Sequence, residues 1–247
     1  SYLPILDTHI SEITHRFREG NYVLRFEDLS PHWVVPFQKL FREASSAVLE
    51  YFSAASGDSG LGGLTPQQPL LEQAARIWYE YRSLSDIAPE MGVSEQILSL
   101  SLQGAFHPIL TRYSETISPL VDQNSWCQGL CPVCWGKPDF AFLSKDTGAR
   151  WLMCSRCDAE WLFLRLRCPF CDNPDQDSLA YFTNENELYR LYICDRCRSY
   201  IKAIDLRKAE GEVLLPLERI LTLDLDRQAD DTGYKPGWIA VAPSGEL

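Results

Sequence analysis

No run of apolar residues in this chain reaches the roughly 18–20 needed to cross a bilayer, so no membrane-spanning helix is expected. Its opening residues show no basic segment followed by an apolar one, so no secretory signal is expected either. Three catalytic signatures are missing: the Walker-type phosphate loop, the Gly-x-Ser-x-Gly elbow and the zinc-protease His-Glu-x-x-His. Positive charge is in short supply. Against 34 Asp and Glu there are 23 Lys and Arg, and the formal net charge of −11 argues against a polyanionic partner. Cysteine is absent before Cys127 and histidine is absent after His107, which divides the composition near Ser125.

What is present fits a folded protein. Hydrophobic residues make up 45% of 247 positions, enough for a sizeable core in one or two domains. The first half has helical periodicity. Leu6, Ile10, Ile13 and Phe17 recur at helical spacing, as do Phe37, Leu40, Phe41, Ala44 and Val48. A third set is Leu70, Leu71, Ala74, Ile77, Trp78 and Tyr81. A fourth runs from Leu98 through Leu102, Ala105, Ile109 and Tyr113 to Ile117, with Ser94 as its N-cap. Pro31 and Pro36 bracket a short break, and Ser56 to Gly63 is a glycine-rich loop. His9, His15, His32 and His107 show no ligand spacing and are read as structural.

The second half changes rhythm. Eight of nine cysteines form four C-x-x-C pairs: Cys131/Cys134, Cys154/Cys157, Cys168/Cys171 and Cys194/Cys197. Structural disulfides have no reason to fall into such pairs, whereas two thiols on one tight turn converge on a metal ion. Between the pairs lie strand-like runs, "DFAFL" and "ARWLM" around the turn "SKDTG", then "EWLFLRLR". The order then repeats as "SLAYFT", the turn "NENE", "LYRLYI" and "SYIKAIDL". Cys131 aligns with Cys168 and Cys154 with Cys194, at offsets of 37 and 40 residues, the mark of a tandem duplication. Each unit reads as a zinc-ribbon or rubredoxin-like hairpin. The expected fold class is α+β, organised as a helical domain over 1–125, ribbons over 126–166 and 167–210, and an extension over 211–247 that packs back on the body.

Four thiolates close a tetrahedron around zinc or iron at about 2.3 Å. A closed shell leaves no position for substrate water, which argues for structure or electron transfer and against Lewis-acid hydrolysis. The expected ligands are Cys131, Cys134, Cys154 and Cys157 at one site and Cys168, Cys171, Cys194 and Cys197 at a second. Each would hold one mononuclear ion, and spacing alone does not separate iron from zinc. Arg156 and Arg196 inside the turns, with Arg165, Arg167 and Arg198 nearby, either offset the thiolate charge or form a solvated surface. The residue after each second cysteine needs a left-handed backbone, which suits Asp158 and Asp172. Trp135 and Arg198 do not suit it, so those two turns are expected to be looser or differently shaped. Trp135 either shields the metal or packs under the ribbon. Cys127 is read as a bystander, and the carboxylates from Asp224 to Asp231 as a solvated stretch. No catalytic residue is assigned.

The motifs resemble those of the formate dehydrogenase accessory protein FdhE family. They are Cys131, Pro132, Cys134 and Pro138; Gly148, Arg150, Leu152, Cys154, Cys157, Glu160 and Trp161; Cys168 and Cys171; and Cys194, Cys197, Tyr200 and Lys202. The likeness runs from Cys131 to Pro243, with Trp135 standing where that family usually has Gly, and with a short helical half. The resemblance implies a non-enzymatic maturation factor in the cytoplasm. It implies rubredoxin-like iron, and binding to the catalytic subunit of respiratory formate dehydrogenase before its export by the twin-arginine route. Neither a nucleic-acid partner nor membrane insertion is expected, on the net charge of −11 and the lack of a long apolar run. Two other classes remain open from the residues: a zinc-ribbon nucleic-acid module and a dithiol oxidoreductase.

Overall fold

The structure, a computed structural model, describes residues 10–29, 33–56 and 63–238. Leu6, His9, Pro31, His32 and Pro243, and most of the Ser56–Gly63 loop, lie outside the described residues. The described chain forms two compact units, one of residues 24–113 and one of residues 10–23 together with 114–238.

In the first unit the helical stripes form helices. Helix α1 (Ile10–Arg18) belongs to the other unit, while α2 (Val34–Ser56), α3 (Gln68–Tyr79) and most of α4 (Glu95–Ile117) build this one. Along α2 the positions Phe37, Phe41, Ser45 and Leu49 are buried, one per turn. All six positions of the Leu98–Ile117 stripe are buried too. The core is aromatic: the Phe106 ring stacks on Trp78 at 5.1 Å between centroids and meets Phe37 at 4.4 Å. Ser94 caps α4 as expected, its Oγ accepting from the Ile97 N–H at 3.3 Å. Tyr81 is the exception to the third stripe. It lies past the end of α3 with φ of 57° and is 39% exposed.

The second unit is built on one sheet. Its strands are β1 (Pro138–Leu143), β2 (Arg150–Cys154), β3 (Glu160–Leu162), β4 (Leu179–Thr183), β5 (Tyr189–Cys194), β6 (Ser199–Asp205) and β7 (Lys235–Pro236). The order is β3-β2-β1-β6-β5-β4, with β7 beside β6. Neighbours within each triplet are antiparallel, but β1 and β6 pair in parallel, Phe140 opposite Lys202 through Leu143 opposite Asp205. The two repeats are therefore joined edge to edge by translation, and β6, buried at every position, is the shared spine.

One strand is shorter than its sequence suggests. "EWLFLRLR" reads as a continuous strand, yet β3 ends at Leu162. The buried Arg150 guanidinium explains the break, because it donates to the carbonyls of Leu164 and Arg167 and wraps the chain around itself. Leu164 and Leu166 are left exposed. Helices α5 (Leu215–Leu221) and α6 (Leu223–Asp231) cover the sheet, with Leu225 and Ala229 packing on Leu191, Ile193 and Tyr200. The Asp224–Asp231 stretch is correspondingly not wholly solvated. Asp226 accepts from Lys202 Nζ and from the Tyr200 hydroxyl, both at 2.7 Å.

Candidate metal centres

Each C-x-x-C pair sits on a tight knuckle. Two knuckles precede β1 and β4, and two close β2 and β5. The N–H after the second cysteine donates to the carbonyl of the first in all four: Trp135 to Cys131 at 3.0 Å, Asp158 to Cys154 at 3.3 Å, Asp172 to Cys168 at 3.0 Å and Arg198 to Cys194 at 2.8 Å. The closure carries the donor residue into the left-handed region, with φ of 62°, 55°, 56° and 56° in that order. The expectation that Trp135 and Arg198 would give different turns is therefore overturned. The backbone takes one shape four times, and those two side chains bear a penalty of about 1–2 kcal/mol each. Contacts compensate. The Trp135 ring lies against Tyr22 and Trp126, and Arg198 stacks on Tyr234 at 4.0 Å.

The knuckles bring together the expected thiols. Cys131, Cys134, Cys154 and Cys157 form one group and Cys168, Cys171, Cys194 and Cys197 the other, each with its sulfurs within 4.8 Å of one another. In the first, Cys131–Cys157, Cys134–Cys154 and Cys134–Cys157 are separated by 3.7, 3.5 and 3.4 Å. In the second, Cys168–Cys197 and Cys171–Cys194 stand at 3.7 and 3.8 Å. A tetrahedron of sulfurs about 2.3 Å from a central ion has edges of about 3.8 Å, so both groups fit a four-thiolate ion. Gly136 makes room for the first: a Cβ there would sit 2.5 Å from Cys154 Sγ and 3.2 Å from Cys134 Sγ.

Burial raises the thiols of Cys131 and Cys157 well above their ordinary value. Burial also opposes ionisation of Cys134, but hydrogen bonding with the neighbouring thiols and the nearby Arg156 charge outweigh it and bring its thiol well below the ordinary value. In the second group burial raises Cys168, and pushes Cys171 up to about 11. Burial works against Cys194 as well, but the Cys197 N–H and the Asn173 side chain bring it down. An entering ion would thus displace protons from buried thiols.

The arginines sort themselves. Arg156 is buried at the first group, whereas Arg165, Arg196 and Arg198 are exposed and Arg167 pairs with Asp172 at 3.2 Å. Composition does not single out Arg150, because its role depends on the junction between the repeats. It is buried between the rings of Phe163 and Tyr192 with no carboxylate partner among the described residues, and burial lowers it to about 10. It lines a cavity of about 30 Å³ together with Cys168 and Cys194. Cys127 is exposed and belongs to neither group. His15 pairs with Glu19 at the surface.

A family model described as "FdhE, central domain" matches residues 130–165. An FdhE homolog of Aquifex aeolicus is 37% identical over 160 residues, 63% of this chain and 55% of that protein. One from Stutzerimonas stutzeri is 34% identical over 112 residues, 43% of this chain and 36% of that one. The chain thus spans about half the length, or less, of these curated relatives. The crystal structure of the FdhE protein from Pseudomonas aeruginosa has a similar fold, with a TM-score of 0.65 at 20% identity over 99% of this chain and 83% of that one. In its four knuckles, in the central-domain match over residues 130–165 and in these relatives, the second half of the chain is similar to FdhE proteins.

Proposed function

We propose that this chain is a non-catalytic, metal-loaded accessory protein that binds an immature catalytic subunit of respiratory formate dehydrogenase in the cytoplasm, before export. The observation that carries the metal part is the pair of sulfur groups at tetrahedral spacing. Cys131, Cys134, Cys154 and Cys157 would hold one ion, and Cys168, Cys171, Cys194 and Cys197 the other. Iron is favoured on the family resemblance, with zinc acceptable to the same donors. A reducing compartment keeps such thiols available to a metal. The closed shells leave the ion no position for a substrate, which supports assembly work over catalysis.

The client part draws on the family resemblance and on one feature of the surface. Leu214, Leu217, Ile220, Leu221 and Leu223, on and beside α5, are 46% to 63% exposed. Apolar clusters of that kind mark sites of protein association. Affinity capture from native extract, with mass spectrometry and metal analysis of the same eluate, tests the proposal. Recovery of the unfinished subunit, and not of the mature exported enzyme, is the expected result. Capture that returns nucleic acid, or both forms of the subunit equally, contradicts it.

A further inference from the structure

The two sulfur groups share a backbone but not an environment. In the first, Cys131, Cys154 and Cys157 are 0% exposed and Cys134 is 1% exposed. In the second, Cys168 and Cys194 are buried, whereas Cys171 and Cys197 are only partly so. Equivalent knuckle positions repeat the contrast. Arg156 is buried and its counterpart Arg196 exposed; Val133 is buried and Phe170 half-buried; Trp135 is half-buried and Asp172 exposed.

The cause is what lies over each ribbon. The first is roofed from two sides. The Val23 N–H donates to the Pro132 carbonyl at 3.0 Å, and the aromatic run Phe17, Trp126, Trp135 and Tyr22 closes over the knuckle. On the other side Arg219 donates to the Cys154 carbonyl at 2.6 Å and pairs with Asp158 at 2.5 Å. The second ribbon is held at its margins, where the Lys235 N–H meets the Arg198 carbonyl at 2.8 Å and Gly237 packs on Phe170. The 30 Å³ cavity against Cys168 and Cys194 has room for about one or two waters.

We infer that the two centres have different jobs: the first is a sealed ion that holds the fold, and the second is an exchangeable site that trades a thiophilic metal ion with species in solution through Cys171 and Cys197. This rests on the two-metal reading above. Exchange at the second centre is a ligand substitution without redox change. An incoming thiolate forms a bond to the ion as the bond to Cys171 or Cys197 Sγ breaks. The freed cysteine then takes up the proton that the incoming thiol gave to solvent. The first centre offers no sulfur to such an attack without local opening.

The test uses the full chain loaded anaerobically with two zinc ions and then mixed with excess chromogenic chelator. Two release phases of one ion each are expected, the fast one quicker by about tenfold or more because it bypasses a local opening. Cys171→Ser should abolish the fast phase and keep the slow one. Maleimide labelling of the unmutated protein after the fast phase needs no variant to fold, and should modify Cys168, Cys171, Cys194 and Cys197 before any cysteine of the first centre. A single phase releasing both ions, or first labelling at Cys131, Cys134, Cys154 or Cys157, overturns the division of labour while leaving two-metal binding intact. Fewer than two bound ions at the outset overturns the two-metal reading, and this inference with it.

Discussion

Single residues carry more of this fold than their types suggest. Gly136 is needed because the first sulfur group occupies the space a Cβ would take. Gly136→Ala should therefore drop the metal content from two ions per chain towards one, read by elemental analysis, while a glycine remote from both groups is neutral in the same assay. Asp205 is fully buried, with Arg190 and Arg207 each 2.7 Å from its Oδ2. The hydrogen bond from Arg207 is the largest influence holding its carboxyl below the ordinary range. A carboxylate lowered in the folded state contributes its full stabilisation above the unfolded value of about 3.9, and loses it as pH falls through the lower folded value. Asp205→Asn should cost about 3–5 kcal/mol by leaving Arg190 buried without its partner, and should flatten the acid limb of the unfolding curve. A variant that melts like the parent at neutral pH contradicts that assignment. Trp135 and Arg198 show the limit of residue-type reasoning. Their types argue against a left-handed backbone, but the knuckle hydrogen bond and the contacts of each ring or guanidinium impose it.

Among the elements, the periodic ones were legible from the sequence and the junctions were not. Helices α2, α3 and α4 follow their apolar stripes because burial on one face dictates the spacing. The hairpins β1–β2 and β4–β5 follow their alternating runs around the turns at "SKDTG" and "NENE", where the Glu187 N–H closes on the Asn184 carbonyl at 3.0 Å. Nothing local announces that β1 pairs with β6 in parallel, because that register is set by residues some sixty positions apart. Nor does "EWLFLRLR" reveal that Arg150, earlier in the chain, ends the strand at Leu162. The acidic α6 looked solvated because its charge is visible and its partner is distant. Lys202 on β6 donates to Asp226 and to the carbonyls of Arg219 and Thr222, which latches both C-terminal helices to the sheet. Asp226→Ala should destabilise the second unit by about 2–3 kcal/mol, less than for a fully buried pair since Asp226 keeps some exposure. Hydrogen exchange of α6 amides should rise before that of β6. Uniform loss of protection across the sheet would instead place Asp226 in the core of the fold.

At the scale of the whole molecule, metal and fold are expected to act together. The eight thiols were readable as two sets from their spacing, and the structure brings those same sets together. Their unequal cover was not readable, since it comes largely from Tyr22 and Arg219 in distant segments. Burial holds Cys131, Cys157 and Cys168 as thiols, so protons compete with any ion for these sulfurs. Metal release to a chelator should accelerate steadily as pH falls from about 8 to about 5, and a pH-independent rate would contradict thiolate ligation. Cys154→Ala should lower the melting temperature far more than Cys127→Ala, because a structural four-cysteine site couples metal binding to folding. Native mass spectrometry of the full chain after anaerobic purification decides whether this one sheet carries two separate mononuclear four-thiolate ions. The expected mass equals the chain plus two transition-metal ions less the protons those ions displace, and Cys154→Ala should remove one ion. A chain carrying one ion, none, or the mass of a polynuclear cluster would contradict it.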